Sequence, residues 1–208
     1  MNNCIYLLSL CLLIISCKQV DNTPLPIIGN KMMLDGEEVD HYIPDFTFTD
    51  QNGNTITNND LDDYVYVADF FYTFCPTICP TVMKQMLTIY DEFESNPKVK
   101  MVSFTLDPKR DTPEHLKQYA DNLGIDHDKW LFLSGDKDAT YDLAEKHLVS
   151  ATYDDPTSED GFNHSGVILL VDQNRHIRAN AQGTDPDDIP DFLDDIRKLL
   201  KEIETKSK

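Results

Sequence analysis

A nearly unbroken β-prone run, Tyr64 to Tyr72 (YVYVADFFY), is followed within a few residues by a helical pattern, PTVMKQMLTIYDEFES. The run lacks the apolar–polar alternation of a half-exposed strand. It reads as a strand covered on both faces. In the segment after it, Val82, Met86, Ile89 and Phe93 recur at helical spacing, and Met83, Leu87 and Tyr90 widen the stripe. A strand buried on both faces needs a layer on each side of its sheet, and here the next layer is a helix.

The rest of the chain keeps that rhythm. VKMVSFTLD reads as a strand. TPEHLKQYADNLG reads as a helix, with Thr112 as N-cap, Pro113 at the first helical position and Gly124 just past the end. WLFLSGD is a short strand and KDATYDLAEKHLV a helix. HSGVILLVDQNRHIRANAQG gives two strands about the turn 172–175, and Ile189, Phe192, Ile196, Leu199 and Leu200 form the apolar face of a last helix. Upstream, PDFTFTDQNGNTITN alternates around Asn52-Gly53, a hairpin signal. The fold class is α/β, one domain over 41–208. The acidic stretch from Tyr153 to Asn163 has no periodicity and reads as a loop, either a solvated insertion or a lid leading to His164.

The first 16 residues stand apart: they carry no charge, and Ile5 to Ile15 is largely apolar. That is short for a membrane span and suits a secretory h-region. The segment ends in LIISC, which resembles a bacterial lipobox with Cys17 as the first mature, lipidated residue. The start, MNN, departs from the usual pattern because it has no Lys or Arg, and an uncleaved anchor helix is the alternative. Residues 17–40 read as a tether, rich in polar and turn residues with Pro24 and Pro26.

Removing the leader changes the cysteine arithmetic. Cys4 and Cys11 leave, Cys17 is acylated, and only Cys75 and Cys79 remain as thiols. A ring closed between residues so near in sequence constrains the unfolded chain little. A redox or metal role is therefore favoured over a structural disulfide. The pair sits where a buried strand ends and a helix begins, and a helix N-terminus favours a thiolate. The thiolate is both nucleophile and metal ligand, so position leaves both chemistries open. If the segment were helical throughout, the two Cα atoms would lie roughly 6 Å apart on one face. Pro76 and Pro80 argue against ordinary helix across the whole loop and make it stiff. Two thiolates with one imidazole would suit copper, as Cu(I) or Cu(II). Of the six histidines, His164 stands out because it follows the long loop and opens an apolar run.

Three motifs together resemble the Sco/SenC family of copper-binding, thioredoxin-fold assembly factors for cytochrome c oxidase. They are FFYTFCPTICP (Phe71 to Pro80), TLDPKRDTPEHLKQYA (Thr105 to Ala120) and NHSGVILLVD (Asn163 to Asp172). The resemblance runs from about Pro44 to Leu200. It implies a thioredoxin-like fold, a central mixed sheet flanked by helices with an N-terminal β-hairpin. It also implies that Cys75, Cys79 and His164 are copper ligands. Asp107, Arg110 and Asp111 match the second motif and read as a loop fixed by Asp–Arg hydrogen bonds and a helix cap. The chain departs from many relatives at Phe74, where they have His, and at Thr77, where they have Asp.

The implied function is a copper metallochaperone or thiol–disulfide factor for the copper centre of cytochrome c oxidase. Its partners would be the copper-receiving subunit of a respiratory oxidase and a thiol reductant protein. Its place would be the cell envelope, lipid-anchored to a bacterial membrane, with the domain outside the cytoplasm. The competing class is a thiol–disulfide oxidoreductase in which Cys75 attacks and Cys79 resolves. A thiol peroxidase is a further alternative, because PDFTFTDQNG also resembles the start of peroxiredoxin-like chains. With 37 acidic against 18 basic side chains, a formal charge of −19, the chain should repel nucleic acid and anionic lipid.

Overall fold

The computed structural model describes residues 23–147, 152–154 and 162–206. The leader 1–16 and Cys17 lie outside the described residues. Two short hairpins come first. β1 (Met32–Leu34) pairs antiparallel with β2 (Glu37–Val39), and β3 (Thr47–Thr49) with β4 (Thr55–Thr57). The second hairpin turns where Asn52-Gly53 predicts. The Asp50 carboxylate accepts from the Asn52 and Asn54 N–H groups, and Gly53 takes φ +82°.

β5 (Val65–Phe71) is buried along its whole length, and α1 (Cys79–Phe93) follows it. β6 (Val99–Thr105) lies parallel to β5, α2 (Pro113–Leu123) returns the chain, and β7 (Trp130–Leu133) lies parallel to β6. α2 has the ends read from sequence. The Thr112 hydroxyl accepts from the His115 N–H, and Gly124 closes the helix in the left-handed region at φ +71°.

α3 (Lys137–Asp142) is shorter than its sequence pattern suggests and continues as a π-helical turn, Leu143–His147. β8 (Thr152–Asp154) pairs antiparallel with β9 (Phe162–His164), Thr152 opposite His164. The two ends of the acidic stretch are thus strand-paired rather than loop. Three-residue strands are too short to show periodicity, so sequence alone misses them. β10 (Val167–Val171) runs antiparallel to both β5 and β11 (Ile177–Gln182), and α4 (Ile189–Lys206) ends the fold.

The main sheet has the order β11-β10-β5-β6-β7, mixed and with β5 at its centre. That is the α/β, thioredoxin-like arrangement expected. Its core is aromatic: Phe70 stacks on Phe104, Trp130 on Phe132, and Phe71 meets Phe132 edge-on. Part of the 17–40 segment read as a tether is held against the domain. Leu25 is buried, and Ile28 bridges to Ile177. The Arg178 guanidinium donates to the carbonyls of Leu25 and Pro26 and to the carboxylates of Asp172 and Glu202. One buried cation is thereby satisfied by four acceptors from distant parts of the chain.

Candidate metal centre

The segment between β5 and α1 presents Cys75, and α1 begins at Cys79. Pro80 stands in the first turn of that helix, where its missing N–H costs nothing. The prolines therefore exclude helix only before Cys79; beyond it, Pro80 helps to start one. The Cys75 N–H reaches back to the Tyr72 carbonyl at 3.3 Å.

Cys75 and Cys79 are both buried, each 7% exposed, with no disulfide between them. The Cys79 N–H, a helix-start donor without an intrahelical partner, points to the Cys75 sulfur at 3.4 Å. The Thr77 hydroxyl lies 3.5 Å from the same sulfur. The N–H contact favours negative charge on the Cys75 sulfur. Cys79 is the opposite case. Its hydrogen bond with the Cys75 side chain, and then burial, push its thiol far above the ordinary range, and the buried Asp69 of β5 adds to the effect. The pair thus has one sulfur that receives a backbone N–H and one that keeps its proton until something displaces it.

The second motif supports this loop from the side. Asp107 and Arg110 approach each other as expected, with Nε 3.5 Å from Oδ2. Asp111 does something else. Fully buried, its carboxylate accepts from the Thr73 N–H at 3.1 Å, the Thr73 hydroxyl at 2.5 Å and the Thr105 hydroxyl at 2.5 Å. Thr73 is two residues before Cys75, so the carboxylate fixes the approach to the thiol. His115 of α2, which sequence reading passed over, lies with Nε2 3.0 Å from the Thr73 hydroxyl. Its ring stacks on Phe74 with centroids 5.4 Å apart and an 8° tilt, and the Arg110 guanidinium stands over the Phe74 ring at 5.9 Å. Phe74 itself is 59% exposed. This chain thus sets an imidazole beside the cysteine loop from another element. The only prior signal was the motif spacing that puts His115 in the first turn of α2.

His164 is the last residue of β9, and its side chain is outside what the structure describes. The corner that follows is packed on the cysteine loop. Gly166 takes φ +66°, and a Cβ there would stand 3.2 Å from Ile78 Cδ1, next to Cys79 in sequence. The sheet thus brings the backbone two residues past His164 against the loop that holds both thiols. Cys17 lies outside the described residues. Among the described residues, no group of three or more His, Cys, Asp or Glu is gathered as a metal cluster, and no helix is long and apolar enough to cross a membrane.

These features define a thioredoxin-like domain carrying a cysteine pair at a strand–helix junction. The SCO1/SenC family model matches residues 35–201, and the chain belongs to that family. It is similar to a SCO1/SenC family lipoprotein from Bacillus anthracis str. Ames, with 28% identity, a TM-score of 0.70, and coverage of 77% of this chain and 95% of that one. It is also similar to BsSco, a member of the Sco family of cytochrome c oxidase assembly proteins in which a disulfide switch was identified. There the identity is 28% and the TM-score 0.67, over 76% of this chain and 93% of that one. Copper-bound ScoI of Bradyrhizobium japonicum is 25% identical with a TM-score of 0.57, over 74% of this chain and 98% of that one.

Proposed function

We propose that this chain binds one copper ion through Cys75, Cys79 and His164 and hands it to the copper-receiving subunit of a respiratory oxidase. The observation that carries this reading is the pair of buried cysteines at the start of α1, with the β9–β10 corner packed against their loop. Two sulfurs and one imidazole suit copper in either oxidation state. The copper-bound ScoI and the oxidase-assembly description of BsSco support the reading. Copper is cargo here. Its binding displaces the proton that Cys79 otherwise keeps, and its release returns it.

Delivery requires both thiols reduced, so a thiol reductant protein is the second partner. Lipidation of Cys17 after loss of 1–16 holds the domain outside the cytoplasm at a bacterial membrane. The likeness to a SCO1/SenC lipoprotein supports that placement. The unequal thiols also favour a second reading. Cys75 thiolate attacks a partner disulfide, and Cys79 then resolves the mixed disulfide. The partner leaves with two thiols, and Cys75–Cys79 becomes the disulfide.

One experiment separates these. Copper stoichiometry and free-thiol count are measured on the same protein, before and after His164→Ala. Metal delivery predicts one copper per chain, both thiols masked until the metal is removed, and copper loss in the variant. Unchanged copper affinity and spectra in His164→Ala would remove His164 from the site. A Cys75–Cys79 disulfide formed without copper retention would favour the redox reading.

A further inference from the structure

At the far end of the sheet from the cysteines, a buried histidine lies beside a half-buried one. Val171 of β10 pairs with Tyr66, near the start of β5, so the β10–β11 turn lies at the amino end of β5. Ile43 binds the Arg175 carbonyl of that turn, which places the neighbouring His41 there as well. His41 is 4% exposed; its ring faces the Lys146 backbone, and neither ring nitrogen makes a well-formed hydrogen bond among the described residues, so at least one nitrogen is left to a ligand. His147, at the end of the π-helical turn, has a buried Nδ1 in the same condition. The two ring centroids are 6.0 Å apart, tilted by 32°. The chain makes room for this: a Cβ on Gly29 would stand 2.5 Å from His41 Cγ.

Buried polar atoms without partners are rare, and an ion or water is the usual resolution. Burial lowers the pKa of both imidazoles, and the charge of His41 further lowers that of His147. Both are therefore neutral near pH 7 and keep a lone pair for coordination. Zinc in a closed site takes four ligands, and no third His, Cys, Asp or Glu joins them among the described residues. Two nitrogens suit an ion that accepts linear two-coordination. With metal–nitrogen bonds of about 2 Å, a linear pair of imidazoles sets its ring centroids roughly 6 Å apart. An entrance exists as well. His147 lines a cleft of about 230 Å³ that Asp45 and Asp142 also line, which favours entry of a cation.

We propose that His41 and His147 form a second metal site, separate from the dithiol, that holds one monovalent d10 ion, copper(I) or silver(I), between two imidazoles.

The test uses the full chain in detergent with all five cysteines replaced by serine, which removes every thiolate. It is titrated anaerobically with copper(I) against a competing chelator. One retained equivalent is expected, with nitrogen and no sulfur in its X-ray absorption spectrum, and it should vanish on adding His147→Gln. No retained equivalent, as for a site holding only water, overturns the proposal. So does a bound equivalent indifferent to His147→Gln. If that variant does not fold, NMR of the unsubstituted imidazoles decides. Silver(I) should shift the ring C–H signals of both His41 and His147, and unchanged signals overturn the site.

Discussion

Asp111 accepts three hydrogen bonds at the base of the cysteine loop. All three partners donate to it here, so Asp111→Asn turns an amide N–H₂ toward at least one group that now donates and breaks that arrangement. Loss of about 2 kcal/mol in stability is expected, read as a lower urea midpoint at unchanged slope. Copper retention should fall too, because Thr73 then no longer fixes the approach to Cys75. An unchanged midpoint would mean that the carboxylate is not the anchor. The motif holding Asp111 was legible in the sequence, but the destination of its side chain was not. Thr73 and Asp111 are 38 positions apart, and an Asp–Arg pairing within the motif is the nearer, more obvious partner. His115 was passed over for the same reason: it reaches Thr73 across 42 positions.

Among the elements, the β9–β10 corner is the one that joins the third motif to the first. Gly166→Ala puts a methyl group at φ +66° and against Ile78, Val82 and Thr184. Gly53→Ala imposes a similar backbone strain at φ +82° with nothing within 4 Å. Each should cost about 1–2 kcal/mol from the left-handed backbone alone. Only Gly166→Ala should also weaken copper retention, because it pushes the corner off the cysteine loop. Equal copper retention in both variants would show that the corner does not set the site. The elements themselves were mostly readable from sequence. β5 announced its two-sided burial, and α2 announced both caps. The short β8–β9 ladder and the π-helical turn were not, because neither is long enough to impose a period.

Across the whole molecule, distant segments meet at the end of the sheet opposite the thiols. In the unfolded chain, His41 and His147 take protons near pH 6.5. In the folded metal-free protein, burial lowers the pKa of both. The unfolded state therefore binds more protons below that pH, and stability falls as pH drops through the lowered folded values. At His147, Asp142 opposes the shift and Lys146 reinforces it; at His41, a contact with the Lys146 backbone opposes it and His176 reinforces it. Melting from pH 8 to pH 5 should show full stability above about pH 6.5 and a decline below it, with His147→Gln flattening the decline. A melting temperature independent of pH over that range in the parent protein would contradict the buried neutral pair. Sequence alone determined the order of strands and helices, the helix caps, the family motifs and the dithiol at a strand–helix junction. Each of these is written in residues close along the chain, where periodicity and spacing operate. Only the tertiary structure decided that Asp111 holds the Cys75 approach, that Gly166 meets Ile78, that Arg178 gathers Leu25 and Glu202, and that His41 lies beside His147. Those contacts depend on which strands are neighbours in the sheet, and burial there leaves each polar group to find its partner across that sheet rather than along the chain.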